Sequence, residues 1–349
     1  VKSVVKKSVM KLYGQTYSRR EIEARVGRLE QIGGLRRFTL SEGPEAGVEQ
    51  IQVRTGAGLS YLVSPSRGLD ISLAEFGGVP LSWQSANGDG HPAYYDDSGA
   101  KWLRTAVGGL LMTCGLSYVG APGDGEGLHG RIHHLPARQV CAEGRWLGDE
   151  YEMRIAGVVD ETAIFGEHLR LTREIHSRLG QNRLMIRDTV ENVGFVSRPH
   201  MILYHFNFGF PLLGPRTTLQ FPSQQVIPRE PETPLEGYDR WLAPQVGYQE
   251  RVYYHQAMPE GWVSAHMHNP AFPTGHGEQA LTVTLSWSTA QLPRLVQWHM
   301  AGAGEHVLGI EPANCYVEGR AVERERGTLQ MLEPGEARSY ELSLEVESG

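Results

Sequence analysis

Apolar and polar residues alternate with period two over most of this chain. Leu169, Leu171 and Ile175 alternate with Arg170, Thr172, Glu174 and His176, and Leu281, Val283, Leu285 and Trp287 alternate with Thr282, Thr284 and Ser286. Near the C-terminus Tyr340, Leu342, Leu344 and Val346 alternate with Glu341, Ser343 and Glu345. This spacing sends one set of side chains into a core and the other toward solvent, as in half-buried antiparallel strands. Helical spacing is confined to one early segment. There Ser18 and Glu21 form a capping box, Ile22, Val26, Leu29 and Ile32 mark one face, and Gly33-Gly34 closes the run, which predicts a short amphipathic helix. Forty-two glycines and twenty prolines punctuate the strands, as turn-rich β architectures require. The fold class read from this pattern is all-β and mainly antiparallel. With no repeat and no linker composition, residues 1–34 read as an N-terminal helical extension and residues 35–349 as one continuous β domain.

Four connections are longer than hairpins need: Ser85 to Gly99, Gly120 to Leu128, Gly214 to Pro244 and Asn269 to Glu278. Long loops on a rigid sheet are where binding groups tend to sit. A length of 349 residues can bury a core without staples. The net charge of −7 disfavours nucleic acid and anionic membranes, and leaves a small neutral or weakly charged ligand as the better fit. Cys114, Cys141 and Cys315 are an odd set without CxxC spacing, so neither a disulfide framework nor a thiolate zinc site is expected. The basic start Val1-Lys2-Ser3-Val4-Val5-Lys6-Lys7 lacks a following apolar run, and no stretch approaches a membrane span, which reads as cytoplasmic.

Three separated fragments carry the candidate chemistry: Gly127-Leu128-His129-Gly130-Arg131, Tyr204-His205-Phe206-Asn207 and Gly309-Ile310-Glu311-Pro312. Flanking glycines leave His129 open to a ligand, although a turn histidine has the same surroundings. Arg131 follows two residues on and falls on the same face if the segment is a strand. His205 and Asn207 share one face of an aromatic strand, with Tyr204, Phe206 and Phe208 on the other, so a buried polar pair there needs hydrogen-bond partners. Glu311 stands in an apolar run where burial raises its pKa toward the range of a general base, unless it points into water. Trp298, on Leu295–Met300, offers either an aromatic floor for a sugar or core packing. His133 and His134, and the pair His266 and His268, suggest metal spacing, but Gly130 stands where the metalloprotease motif needs glutamate; no metal is assigned.

At these residues the chain resembles the aldose 1-epimerase (galactose mutarotase) superfamily, over roughly residues 35 to 348. The resemblance implies a large antiparallel β-sandwich of the galactose mutarotase-like supersandwich type, with the site in a cleft on one concave sheet. It also implies that His129 binds the anomeric region of a sugar, that His205 is the general acid and that Glu311 is the general base. The superfamily's Asn-Arg-Ile segment is absent, its place reading Thr105-Ala106-Val107-Gly108-Gly109-Leu110-Leu111-Met112-Thr113-Cys114-Gly115. Arg67, in Ser66-Arg67-Gly68-Leu69-Asp70-Ile71, or Arg131 then stands in for the arginine, and Asp70 binds a hydroxyl pair or caps a turn. The implied activity is interconversion of aldose anomers by acid-base ring opening, an isomerase reaction that needs no cofactor, on a small-molecule sugar. A homodimer is left open. A sugar isomerase or epimerase acting at a carbon centre with a metal, and a non-catalytic carbohydrate-binding protein, are the alternatives.

Overall fold

The computed structural model describes residues 10–275 and 277–349; the basic start Val1–Lys7 lies outside them. Among the described residues, two large antiparallel sheets of twelve and eight strands face each other. The alternating residues of the sequence supply the filling. Leu169, Leu171, Ile175, Leu281, Val283, Leu285, Trp287, Tyr340, Leu342, Leu344 and Val346 all come from the eight-stranded sheet and are buried in one core. The twelve-stranded sheet meets them with Ile202, Tyr204, Phe206 and Phe208 from Arg198–Phe208 and Leu308 and Ile310 from His306–Ala313. This is face-to-face packing of two sheets, in which inward residues interdigitate and their neighbours point out.

Two inward positions break the apolar rule. Arg173 lies in phase with Leu171 and Ile175, and Asp188 lies in phase with Ile186 and Val190 on the neighbouring strand. The fully buried Arg173 bonds Asp188 through Nη2 at 2.6 Å and Asp70 through Nη1 at 2.6 Å, and its Nη2 also donates to Thr113 Oγ1 at 2.9 Å. Tyr204 donates to the same Asp188. A buried charge is tolerable only when paired and hydrogen-bonded, and this network bolts the two sheets together.

The N-terminal helix is shorter than its apolar spacing predicts. The capping box forms, with Glu21 N donating to Ser18 Oγ and Ser18 N to the Glu21 carboxylate, but the helix spans only Arg19–Glu23. Arg28, beside Gly27, is extended, and Leu29–Gln31 forms a separate 3-10 turn. Glycine costs a helix about 1 kcal/mol relative to alanine, enough to break so short an element. The expected face survives, because Ile22, Val26, Leu29 and Ile32 reach one small cluster with Met10, Leu12 and Leu179. The connection expected between Asn269 and Glu278 is mostly strand, since Trp262–Thr274 pairs with Gly277–Ser288 across a register shift.

In the twelve-stranded sheet the neighbours run Arg251–Gln256, Arg294–Ala301, His306–Ala313, Arg198–Phe208, Leu111–Leu116 and Asp70–Phe76. Their second face, turned away from the inter-sheet core, carries a separate cluster including Met112, Cys114, Leu203, Tyr254 and Val296. Trp102, from the segment after the long Ser85–Gly99 connection, packs onto that cluster. His205, Asn207, Glu311 and Trp298 lie on this face.

Candidate active site

Strand register assembles the centre of the site. The antiparallel pairing that sets Leu203 opposite Ala313 and Phe206 opposite Ile310 sets His205 opposite Glu311. On the other side of the same strand, Trp298 pairs with Gly309. Because side chains alternate, His205, Asn207, Glu311 and Trp298 project from the same face while Tyr204, Phe206 and Ile310 enter the core. Glu311 Oε1 lies 3.2 Å from His205 Nε2, and both side chains are almost wholly buried. The two atoms are in contact but out of line for a hydrogen bond, so Oε1 keeps an unused lone pair.

Gly309 makes room for this pair. A Cβ at this position would press into Glu311 Oε1 and approach Trp298 Cβ to 2.9 Å and His205 Cε1 to 3.2 Å.

His129 arrives from outside the sheet. Its φ of 58° is uncommon for a residue with a side chain. Backbone bonds hold it there, from His129 N to Gly120 O at 2.9 Å and from Gly115 N to His129 O at 3.0 Å. Gly130 beside it has no space for a Cβ, which would fall 2.5 Å from Tyr118 O. The His129 and His205 rings stand edge to face, 6.1 Å apart. Trp298 is half-buried against His205 at 5.6 Å and Trp83 at 6.3 Å, and its Nε1 donates to Glu250 at 2.8 Å. It therefore stands partly exposed beside His205.

Burial sets the charges. It pushes the Glu311 carboxyl well above its ordinary range, helped by Glu250 and opposed by Arg229. It pushes His205 down to about 3, with His129 adding to the effect, and His129 down to about 4, with Arg229 adding to it. Both shifts run toward the uncharged forms, a neutral imidazole and a neutral carboxyl. Four buried polar atoms here have no hydrogen-bond partner: His129 Nδ1, His205 Nδ1, Asn207 Oδ1 and Glu311 Oε1. Each unsatisfied group costs about 1–3 kcal/mol, so such a concentration is expected where a polar ligand completes the bonding.

Three sequence candidates serve elsewhere. Arg131 ion-pairs with Glu167 and donates to Thr162 O, because it turns into the 3-10 segment Ile132–His134 instead of continuing a strand beside His129. Asp70 lies inside the sandwich, holding Arg173, Thr113 and His133. Arg67 is buried with Nε donating to Gly90 O at 2.8 Å. His266 and His268 bond Thr284 and Thr282 on the outer face of the eight-stranded sheet, away from this site. Residues the sequence did not single out complete the surroundings: Gly309, Trp102, Tyr254, whose buried hydroxyl is unpartnered, and Arg229 with Glu250. Arg229 falls in the long connection from Gly214 to Pro244, the one signal that pointed to it.

No curated protein matches this sequence. Among solved structures, a Klebsiella pneumoniae protein provisionally named as an aldose 1-epimerase superposes with a TM-score of 0.79 at 23% identity, covering 93% of this chain and 86% of its own. A galactose 1-epimerase from Lactobacillus acidophilus gives 0.56 at 12% identity, covering 90% and 99%. A galactose mutarotase-like protein from Clostridium acetobutylicum gives 0.55 at 13% identity, covering 91% and 100%. Similarity at these identities establishes a shared architecture, the galactose mutarotase-like β-sandwich. Residues 45–346 match the model of a domain of unknown function, DUF4432, and the chain belongs to that family.

Proposed function

We propose that the protein interconverts the anomers of an aldose, with Glu311 and His205 as the proton-transfer pair. The supporting observation is the 3.2 Å approach of a buried carboxyl oxygen to a buried imidazole nitrogen, among polar atoms that lack partners. The names of the superposed proteins agree with this reading. Ring opening needs a base at the anomeric hydroxyl and an acid at the ring oxygen together, and a pair sharing one proton supplies both. With the proton on His205, the Glu311 carboxylate takes the proton of O1 while the imidazolium gives its own to the ring oxygen. The C1–O bond of the ring breaks and O1 becomes an aldehyde oxygen. Rotation about C1–C2 and reversal of both transfers yields the other anomer and restores the pair.

Burial favours the opposite tautomer at rest, with the proton on Glu311, while Arg229 favours the carboxylate. The proton count of the pair is the same in either form. His129 holds the anomeric region, Asn207 Oδ1 accepts a hydroxyl, and Trp298 faces the apolar side of the pyranose.

Polarimetry of freshly dissolved α-aldoses tests the proposal. The protein should accelerate the approach to rotational equilibrium, chelator should have no effect, and Glu311→Gln should lower the rate by about 10²–10⁴, the range of general acid-base catalysis. Sugar binding without acceleration would indicate a carbohydrate-binding protein. Acceleration that chelator abolishes would indicate metal-assisted chemistry.

A further inference from the structure

Beyond His129 the polar lining continues around Trp102. The indole lies 5.2 Å from the ring of His129, 6.2 Å from that of His133 and 6.0 Å from that of His134, centre to centre. Trp102 and both added histidines are buried. Gly68 N donates to Leu135 O at 2.8 Å, which sets Arg67 beside the 3-10 turn that carries His133 and His134. The charge of Arg67 acts on both of these histidines, and His133 acts in turn on His205.

Arg67 is the anomaly of this group. Its guanidinium is fully buried, yet Nε and Nη2 both donate to one carbonyl, Gly90 O, and Nη1 has no partner. Arg173, equally buried, bonds two carboxylates. Among the described residues no carboxylate pairs with Arg67: Asp89 and Asp70 act on it through space, and burial still lowers it to about 10. A buried charge is costly unless it is paired and hydrogen-bonded. Trp102 Nε1 is a second buried donor without a partner. Asp70 accepts from Arg173 Nη1, Thr113 N and Thr113 Oγ1, so it is an ionised carboxylate to which His133 Nδ1 donates at 2.7 Å, and the unpartnered His133 Nε2 is an acceptor. His134 Nδ1, also without a partner, donates or accepts according to its tautomer.

Two donors, one of them charged, together with one acceptor match a ligand that carries a negative charge beside a hydroxyl. A carboxylate on a hydroxylated ring does so: its oxygens accept from Arg67 Nη1 and Trp102 Nε1, and a neighbouring hydroxyl donates to His133 Nε2. A neutral sugar would leave the guanidinium without a counter-charge. A phosphate monoester would bring about two negative charges to one cation that two aspartates already face.

We propose that Arg67 and Trp102, with His133 beside them, form a carboxylate-recognising end of the site, and that the substrate is an acidic aldose of the hexuronate class. This rests on the assignment of the site to an aldose but not on catalysis, so binding and turnover are read separately. The probes are D-glucuronate and D-galacturonate, D-glucose and D-galactose, and D-glucose 6-phosphate, with binding followed by titration calorimetry and anomer exchange by polarimetry. At least one uronate should bind about tenfold more tightly than the matching neutral hexose, the scale of a charge-assisted pair. Arg67→Met should cost that uronate about tenfold in affinity and erase its advantage over the neutral hexose. Asp89→Asn removes a negative charge that faces Arg67 and should tighten the uronate about threefold, a gain that damage to the fold does not mimic and that is read even if Arg67→Met does not fold. Neutral hexoses binding as well as uronates, no uronate binding, or the phosphate ester binding more tightly than the uronate would overturn the proposal. So would a folded Arg67→Met protein that keeps the preference, or weaker uronate binding in Asp89→Asn, which would mark Asp89 as the counter-ion of Arg67. Uronate binding with this pattern but without accelerated exchange would sustain the proposal while refuting the mutarotase reading, and accelerated exchange of neutral hexoses alone would do the reverse.

Discussion

Gly309→Ala isolates the geometry of the proposed proton-transfer pair, Glu311 and His205, with one methyl group. The added carbon would sit well inside contact distance of Glu311 Oε1, so the carboxylate must retreat by about 1 Å to reach an ordinary contact. His205 Cε1, at 3.2 Å, need yield only a few tenths of an ångström. Trp298 Cβ, at 2.9 Å, is close to the backbone of the paired strand and yields less easily. A 1 Å misplacement of a reacting group costs about 10²-fold, or roughly 2.7 kcal/mol in the barrier. The strain against Trp298 should cost about 1–3 kcal/mol of stability, a fall of several degrees in Tm. The assay is anomer exchange by polarimetry, paired with thermal unfolding. The expected result is a folded protein with kcat/KM reduced about 100-fold, and little additional loss when the change is made in Glu311→Gln, because both act through one carboxylate. A folded Gly309→Ala protein within about threefold of wild-type activity would refute the reasoning.

Three more outcomes follow from the same contacts. If the active form is the pair holding one proton, kcat/KM should keep its value as pH falls from 7 to 5: a second proton enters only near the depressed value of His205, about 3, while burial of the Glu311 carboxyl moves loss of the last proton to higher pH. An acid limb at the ordinary histidine pKa would contradict this. His129, His200, His255 and His299 fall to about 4 in the folded protein, so below pH 6.5 the unfolded chain binds more protons and stability is lost as pH falls toward 4. With four such groups the slope approaches about 5 kcal/mol per pH unit, which urea unfolding between pH 7 and 5 would detect, and a flat dependence would refute. Arg173→Ala leaves Asp70 and Asp188 buried without their cation and should cost about 3–5 kcal/mol; a Tm fall of less than a few degrees would show that the network does not brace the sheets.

The strands were legible because their inward residues are large and apolar, and period two survives any detail of pairing. Leu281, Val283, Leu285 and Trp287 reach the core as their spacing requires. Arg173 was visible at an inward position between Leu171 and Ile175, but its charge hides it from a pattern of apolar residues, and its partners Asp70 and Asp188 are 103 and 15 residues away. The helix was overextended because a stripe of apolar residues does not reveal whether one helix or two short turns delivers it. The shared face of His205 and Asn207 followed from alternation alone. Their meeting with Glu311 depends on the register of two strands about a hundred residues apart, which only long-range packing fixes. Arg131 failed as a pocket residue for a local reason, the 3-10 turn at Ile132–His134. The recruitment of His133 by Asp70 is likewise tertiary, reaching across 63 residues.

The structure of a slow variant, Glu311→Gln, with an aldose bound tests the central claim most directly. The anomeric and ring oxygens should lie about 2.6–3.2 Å from the side chain at position 311 and from His205 Nε2, with His129 against the same end of the ring. A sugar held with its anomeric carbon turned away from both groups, or bound elsewhere on the sheet, would contradict it.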